Sequence, residues 1–157
     1  MMLIADVIKS SMIVKKAYKG SIIVEEVGLP LEAEWTKTHR ADLMELTKDN
    51  KVIIYEVKSC MADYRSDNKW QEYLNHCNLL YFIAPKEVAK VIKSEVPPHV
   101  GVYEMYESGY LHCIRTARKT KHTPNIEIVK NKLQIQLAYR YAKIHSLKIK
   151  SNKKAMQ

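Results

Sequence analysis

The sequence predicts an α/β domain built on a mixed central β-sheet with helices on its faces. Three observations carry that expectation. Short β-branched apolar runs of strand length recur along the chain, stretches with apolar residues at helical spacing lie between them, and polar turn clusters mark the changes. At 157 residues, with 46% hydrophobic and 27% charged residues and only 4 Gly and 5 Pro, the chain is one domain's worth, and low-complexity, collagen-like and disordered classes are excluded. Residues 1–150 are taken as the domain and 151–157 as a mobile basic tail.

Each element has its own reason. Asp6 to Lys19 sets Ile8, Met12 and Val14 among lysines and ends before Gly20, as an amphipathic helix with a glycine cap does. Ser21 to Val27 is β-branched and fits a strand or a second helical piece, and Gly28-Leu29-Pro30 breaks it. Leu31 to Trp35 is extended, Ala41 to Leu46 is a short strand, and Thr47-Lys48-Asp49-Asn50 turns the chain into the next strand, as in a hairpin. Lys51 to Cys60 strings together Val52, Ile53, Ile54, Tyr55 and Val57, the signature of a central strand covered on both faces. Asp63 to Asn78 reads as a polar helix, Leu79 to Ala84 as a buried strand closed by Pro85, and Lys86 to Lys93 as a helix ended by Val96-Pro97-Pro98. Val100 to Tyr106 and Tyr110 to Ile114 flank Ser108-Gly109 as a second hairpin. Thr123-Pro124 opens a long terminal helix, in which Ile126, Val129, Leu133, Leu137, Tyr141 and Ile144 form one apolar stripe.

Charge is distributed unevenly. From Arg115 onward there are 12 Lys/Arg against the single acid Glu127, whereas the first 114 residues are close to neutral. Charge concentrated in this way faces a polyanion, nucleic acid before an anionic lipid surface, or else forms a solvated helix face. No apolar run approaches the roughly 20 residues a membrane-spanning helix needs, which predicts a cytoplasmic protein with no membrane partner. Cys60, Cys77 and Cys113 are odd in number and lack Cys-x-x-Cys spacing, against both a disulfide framework and a zinc ribbon.

Chemistry concentrates around Asp42 and the Glu56-Val57-Lys58 triplet. A strand's period of two projects Glu56 and Lys58 from one face, and a hairpin partner can bring Asp42 beside them. Two carboxylates suit Mg²⁺ or Mn²⁺ with several coordination positions left to water, and an adjacent lysine can orient an attacking water, the equipment for phosphodiester hydrolysis. The bland alternative is a same-face Glu56–Lys58 ion pair with Asp42 unrelated.

Longer motifs then bear on the choice. Ala41-Asp42-Leu43, Tyr55-Glu56-Val57-Lys58-Ser59 and the stretch Ala62-Asp63-Tyr64-Arg65-Ser66-Asp67-Asn68-Lys69-Trp70-Gln71-Glu72-Tyr73 resemble the PD-(D/E)XK nuclease superfamily, and within it the MmcB-type DNA repair family. Cys77, Tyr81 to Pro85, Pro98, Gly101 and Ala117-Arg118-Lys119 continue the likeness, over roughly residues 32 to 145. The resemblance implies a restriction-endonuclease-like core with a long basic C-terminal helix. It implies Asp42, Glu56 and the Val57 carbonyl as ligands of Mg²⁺ or Mn²⁺, and Lys58 as the lysine that positions the attacking water. Lys69 and Tyr73 stand where related nucleases carry Gln-x-x-x-Tyr, and Glu32 or Glu34 stands where some members have a further acid. Thr38-His39-Arg40 replaces the family's Gly-Arg-Arg.

The candidate nucleic-acid contacts are Arg40, Arg65, Lys69, Arg115, Arg118 and Lys119. Arg65 clamps a phosphate or pairs with Asp63 or Asp67, Trp70 and Cys77 read as core, and His39 reads as a loop histidine beside the site. The His76-Cys77 and His112-Cys113 pairs lie on separate elements, against a zinc site. The expectation is therefore a DNA-repair-related, metal-dependent deoxyribonuclease, with a nuclease-fold DNA-binding accessory that cuts little or nothing as its rival. A repair-protein partner and a homodimer both stay open.

Overall fold

Val52–Val57 (β3) forms the middle of the sheet, and every residue in it is buried. A run of β-branched and aromatic residues gives both faces of such a strand apolar surface to cover. The computed structural model describes residues 3–29, 39–119 and 126–155. The six strands lie in chain order: β1 (Ile22–Leu29), β2 (His39–Leu46), β3, β4 (Leu79–Pro85), β5 (Gly101–Met105) and β6 (Leu111–Arg115). Pairing is antiparallel from β1 to β3, parallel from β3 to β5, and antiparallel again at β6, which makes the sheet mixed. Parallel neighbours need crossovers. Helix α2 (Met61–Ser66) and a 3-10 turn at Trp70–Asn75 make the first, and helix α3 (Lys86–Glu95) makes the second.

Helix α1 (Ile4–Ala17) covers one face, where Ile8 and Met12 join Leu43, Tyr55, Tyr81, Ile83 and Tyr103. On the other face Val88 and Ile92 of α3, with Val129 and Leu133 of helix α4 (Ile126–Ala155), join Ile54, Leu80, Phe82 and Val102. Each such side chain stabilises by about 1.5–3 kcal/mol through burial.

Most expected elements are present. Gly20 closes α1 at φ +69, a left-handed conformation that favours glycine. Ser21 to Val27, open between strand and helix in the sequence, belongs to a strand. The β2–β3 hairpin turns through Thr47, whose hydroxyl accepts the Lys51 amide at 2.9 Å, and Asn50 at φ +59. The expectations for Leu31 to Trp35 and Thr123-Pro124 fall outside the described residues.

Two elements depart from expectation. The single helix expected over Asp63 to Asn78 is instead α2 and the separate 3-10 turn. Asp67 leaves helical backbone at φ −86, ψ 109; one carboxylate oxygen accepts the Lys69 amide at 2.9 Å and the other meets the Lys58 ammonium. The break in the helix thus coincides with a side chain that bonds its own backbone two residues on and an ion pair back to the end of β3. The stripe on α4 is also only half used: Val129 and Leu133 are buried, but Tyr141 is 72% and Ile144 56% exposed. At 30 residues α4 is about 45 Å long and outruns the surface it packs on. Ser151 to Ala155 continue the helix.

Candidate functional site

The β2–β3 register sets Leu43 against Tyr55. One step further along, Asp42 comes beside the end of β3, where its Oδ2 accepts the Val57 amide at 2.8 Å. Glu56 and Lys58 project from the same face of β3, as period two requires. They stand with their charged ends 3.7 Å apart. Asp42, Glu56, Val57, Lys58, Lys69 and Tyr73 line one cavity of about 350 Å³, so the expected site residues converge.

Charge in this cavity is poorly shielded by water. Glu56 is 4% exposed, and its Oε1 has no hydrogen-bond partner among the described residues. Burial, and next the nearby Asp42 carboxylate, push the Glu56 carboxyl up to about 8, against the opposing pull of Lys58. Burial likewise raises Asp42, with the Val57 amide as the main offset. For Lys58, burial alone would lower the pKa, but the Asp67 hydrogen bond and the surrounding carboxylates reverse it, so the ammonium stays charged. Asp67 accepts that ammonium at 2.5 Å. The Tyr73 hydroxyl donates to the Arg40 carbonyl at 3.2 Å and is held protonated, first by burial and then by Glu56.

A buried carboxylate oxygen without a donor, facing a cavity beside a second carboxylate, fits a divalent cation. Asp42 and Glu56 supply two carboxylates, and the Asp63 and Asp67 carboxylates on the same wall are engaged by Ser59 and by Lys58 and Lys69. Among the described residues no three His, Cys, Asp or Glu side chains gather in a metal-binding group. His112 instead faces Glu104 at 3.2 Å.

The expected phosphate-binding residues fare unevenly. Lys69 lines the cavity. Arg40 is exposed and pairs with Glu26 at 2.5 Å. Arg65 pairs with neither Asp63 nor Asp67; its guanidinium grips Glu95 of α3 through two bonds of 2.6 Å. Arg115 donates to the carbonyls of Lys93, Val96 and Val100, so it caps the end of α3. Arg118 and Lys119 are exposed. Trp70 and Cys77 are core, with Trp70 edge-on to Phe82. Glu32, Glu34 and the His39 side chain lie outside what is described.

Sequence reasoning missed two charged residues. Lys9 reaches the cavity from α1, where Ala5, one turn earlier on the same face, leaves room for it. Lys9 pairs with Glu26, whose backbone at φ +53 is strained for a non-glycine residue and which lies opposite Asp42 in the β1–β2 register. Asp67 is the other, and its tie to Lys58 depends on where α2 ends, which no local pattern encodes. The only available signal was an unassigned Lys9 on the Ala5 face.

The sequence model of the MmcB-like family, described as DNA repair protein MmcB-like, matches residues 9–151. The chain belongs to the MmcB-like DNA repair family. No curated protein matches it. Among solved structures it is similar to the SPO1766 protein of unknown function from Silicibacter pomeroyi, with a TM-score of 0.75 and 21% identity over 94% of each chain. At that identity the likeness establishes the shared fold. For this member of the MmcB-like family, the α/β fold with its mixed sheet and C-terminal helix is therefore one shared with a solved structure. Among the described residues no helix is long and apolar enough to cross a membrane.

Proposed function

We propose that this cavity is the active site of a PD-(D/E)XK-type deoxyribonuclease dependent on Mg²⁺ or Mn²⁺. The observation that carries the reading is the buried Glu56 oxygen without a donor, set beside Asp42 and within reach of Lys58. Asp42, Glu56 and the Val57 carbonyl would hold the ion, which when bound supplies Lewis acidity and neutralises charge on the scissile phosphate. Lys58 orients the attacking water and offsets negative charge as it develops on the phosphate oxygens. Lys69 and Lys9, which line the same cavity, bind the phosphate backbone, and Tyr73 fixes the Arg40 segment through its hydroxyl. The basic, acid-free part of α4 adds sequence-independent affinity for DNA.

The test is cleavage of labelled single-stranded, duplex, flap and four-way-junction DNA with Mn²⁺, Mg²⁺ or EDTA. Metal-dependent cutting that disappears in Glu56→Ala and Lys58→Ala supports the reading. A second reading is a nuclease-fold accessory that binds DNA without cutting, since a fold and a cluster of charged residues do not by themselves prove turnover. It predicts salt-sensitive binding, unchanged in Asp42→Ala, and no cleavage with either metal.

A further inference from the structure

We infer that Asp67 is a positioning residue of the site, anchoring the Lys58 ammonium through one carboxylate oxygen and the Lys69 backbone through the other. This rests on the nuclease reading and extends it to a residue outside the Asp42, Glu56, Lys58 set. Its two carboxylate oxygens do different work. Oδ2 takes the Lys58 ammonium at 2.5 Å, closer than Glu56 at 3.7 Å. Oδ1 accepts the backbone amide of Lys69 at 2.9 Å, which ends α2 and sets the direction in which the Lys69 segment leaves.

The physical case starts from freedom. A lysine has four rotatable bonds, and an ammonium tethered at one end only sweeps a wide volume. Glu56 also pairs with it, at the longer distance of 3.7 Å, and faces the cavity. Asp67 approaches from a different element, and both partners are nearly buried, with side chains 7% and 12% exposed, so the pair is poorly screened by solvent. The same carboxylate sits where the backbone leaves α2 for extended conformation, before the 3-10 turn begins. Holding a functional group through a partner that does not itself touch the reacting atoms is how sites keep sub-ångström geometry.

Asp67→Asn is the informative substitution, because its amide oxygen still accepts the Lys69 amide while the negative oxygen facing Lys58 is lost. Asp67→Glu keeps the charge. Two measurements on the full chain decide. In proton–nitrogen NMR of side-chain ammonium groups, the wild type shows a slowly exchanging signal absent from Lys58→Ala; Asp67→Asn loses it and Asp67→Glu retains it. In Mn²⁺-dependent DNA cleavage, kcat falls by about 10- to 100-fold in Asp67→Asn with KM within about twofold, and Asp67→Glu recovers most of the loss. An unchanged ammonium signal in Asp67→Asn overturns the anchoring, and wild-type kcat despite a lost signal overturns the role in turnover. If Asp67→Asn melts far below the wild type, Asp67→Glu against Lys58→Ala carries the same comparison. A wild-type chain that binds DNA and never cuts it overturns the nuclease reading, and the ammonium signal then decides the anchoring alone.

Discussion

Glu45 on β2 and Glu56 on β3 are 2% and 4% exposed, on adjacent strands, and each has a lysine nearby. Their surroundings nevertheless differ. Glu45 accepts the Tyr55 hydroxyl at 2.5 Å and the Lys16 ammonium at 3.0 Å, beneath α1, with the ammonium also 5.4 Å over the Tyr55 ring. Burial first, and then Glu45, keep that tyrosine protonated well above its ordinary range. Glu56 has a cavity beside it, a lysine drawn off by Asp67, and an oxygen without a donor. The first is a closed network whose charges cancel within the fold, and the second is an open one that leaves a carboxyl oxygen facing a cavity without a partner among the described residues. Burial of a glutamate thus says nothing about its role until its partners are counted.

The largest expected effect breaks the open network. Glu56→Ala or Lys58→Ala lowers metal-dependent cleavage on the order of 10³-fold, about 4 kcal/mol of transition-state stabilisation, measured in single-turnover assays. The closed network answers differently. Glu45→Ala strands the Lys16 ammonium against Tyr55 and costs about 3 kcal/mol in urea unfolding, while cleavage per folded molecule is unchanged.

A smaller effect sharpens the contrast through pH. Because the folded-state pKa of Glu56 is raised to about 8, the folded chain binds a proton that the unfolded chain releases at its ordinary, lower value. Stability from this group is present at low pH and is lost as pH rises toward 8. The metal-free Tm falls over that window, Glu56→Gln flattens the fall, and Mn²⁺ at about pH 8 restores Tm in the wild type but not in the variant. Calorimetry at about pH 5, 6.5 and 8 reads all three.

The smallest effects separate cations that hold the fold from cations available to meet phosphate. Lys143, Lys148 and Lys150 are exposed on the outer part of α4, and replacing all three with alanine weakens DNA binding and lowers its salt slope by about 0.9 for each phosphate no longer neutralised. Arg115→Ala leaves the salt slope in place and destabilises α3, because the carbonyls of Lys93, Val96 and Val100 lose their donor.

By itself the sequence determined the elements whose stabilisation is local or periodic. The apolar run of β3, the Thr47 to Asn50 turn, the Ser108-Gly109 hairpin and the stripe of α4 each encode their conformation within a few residues, so they were legible. Convergence of Asp42, Glu56 and Lys58 was legible too, because strand period and hairpin pairing fix which residues share a face. Tertiary structure alone decided the partners of the charges. Asp67 stopping α2 to meet Lys58, Arg65 reaching Glu95, Arg115 capping α3 and Lys9 entering from α1 all join residues from different elements. Ion pairs have no sequence period, and long side chains reach several ångströms in any direction. Only the packed positions of the backbones settle which carboxylate each cation finds.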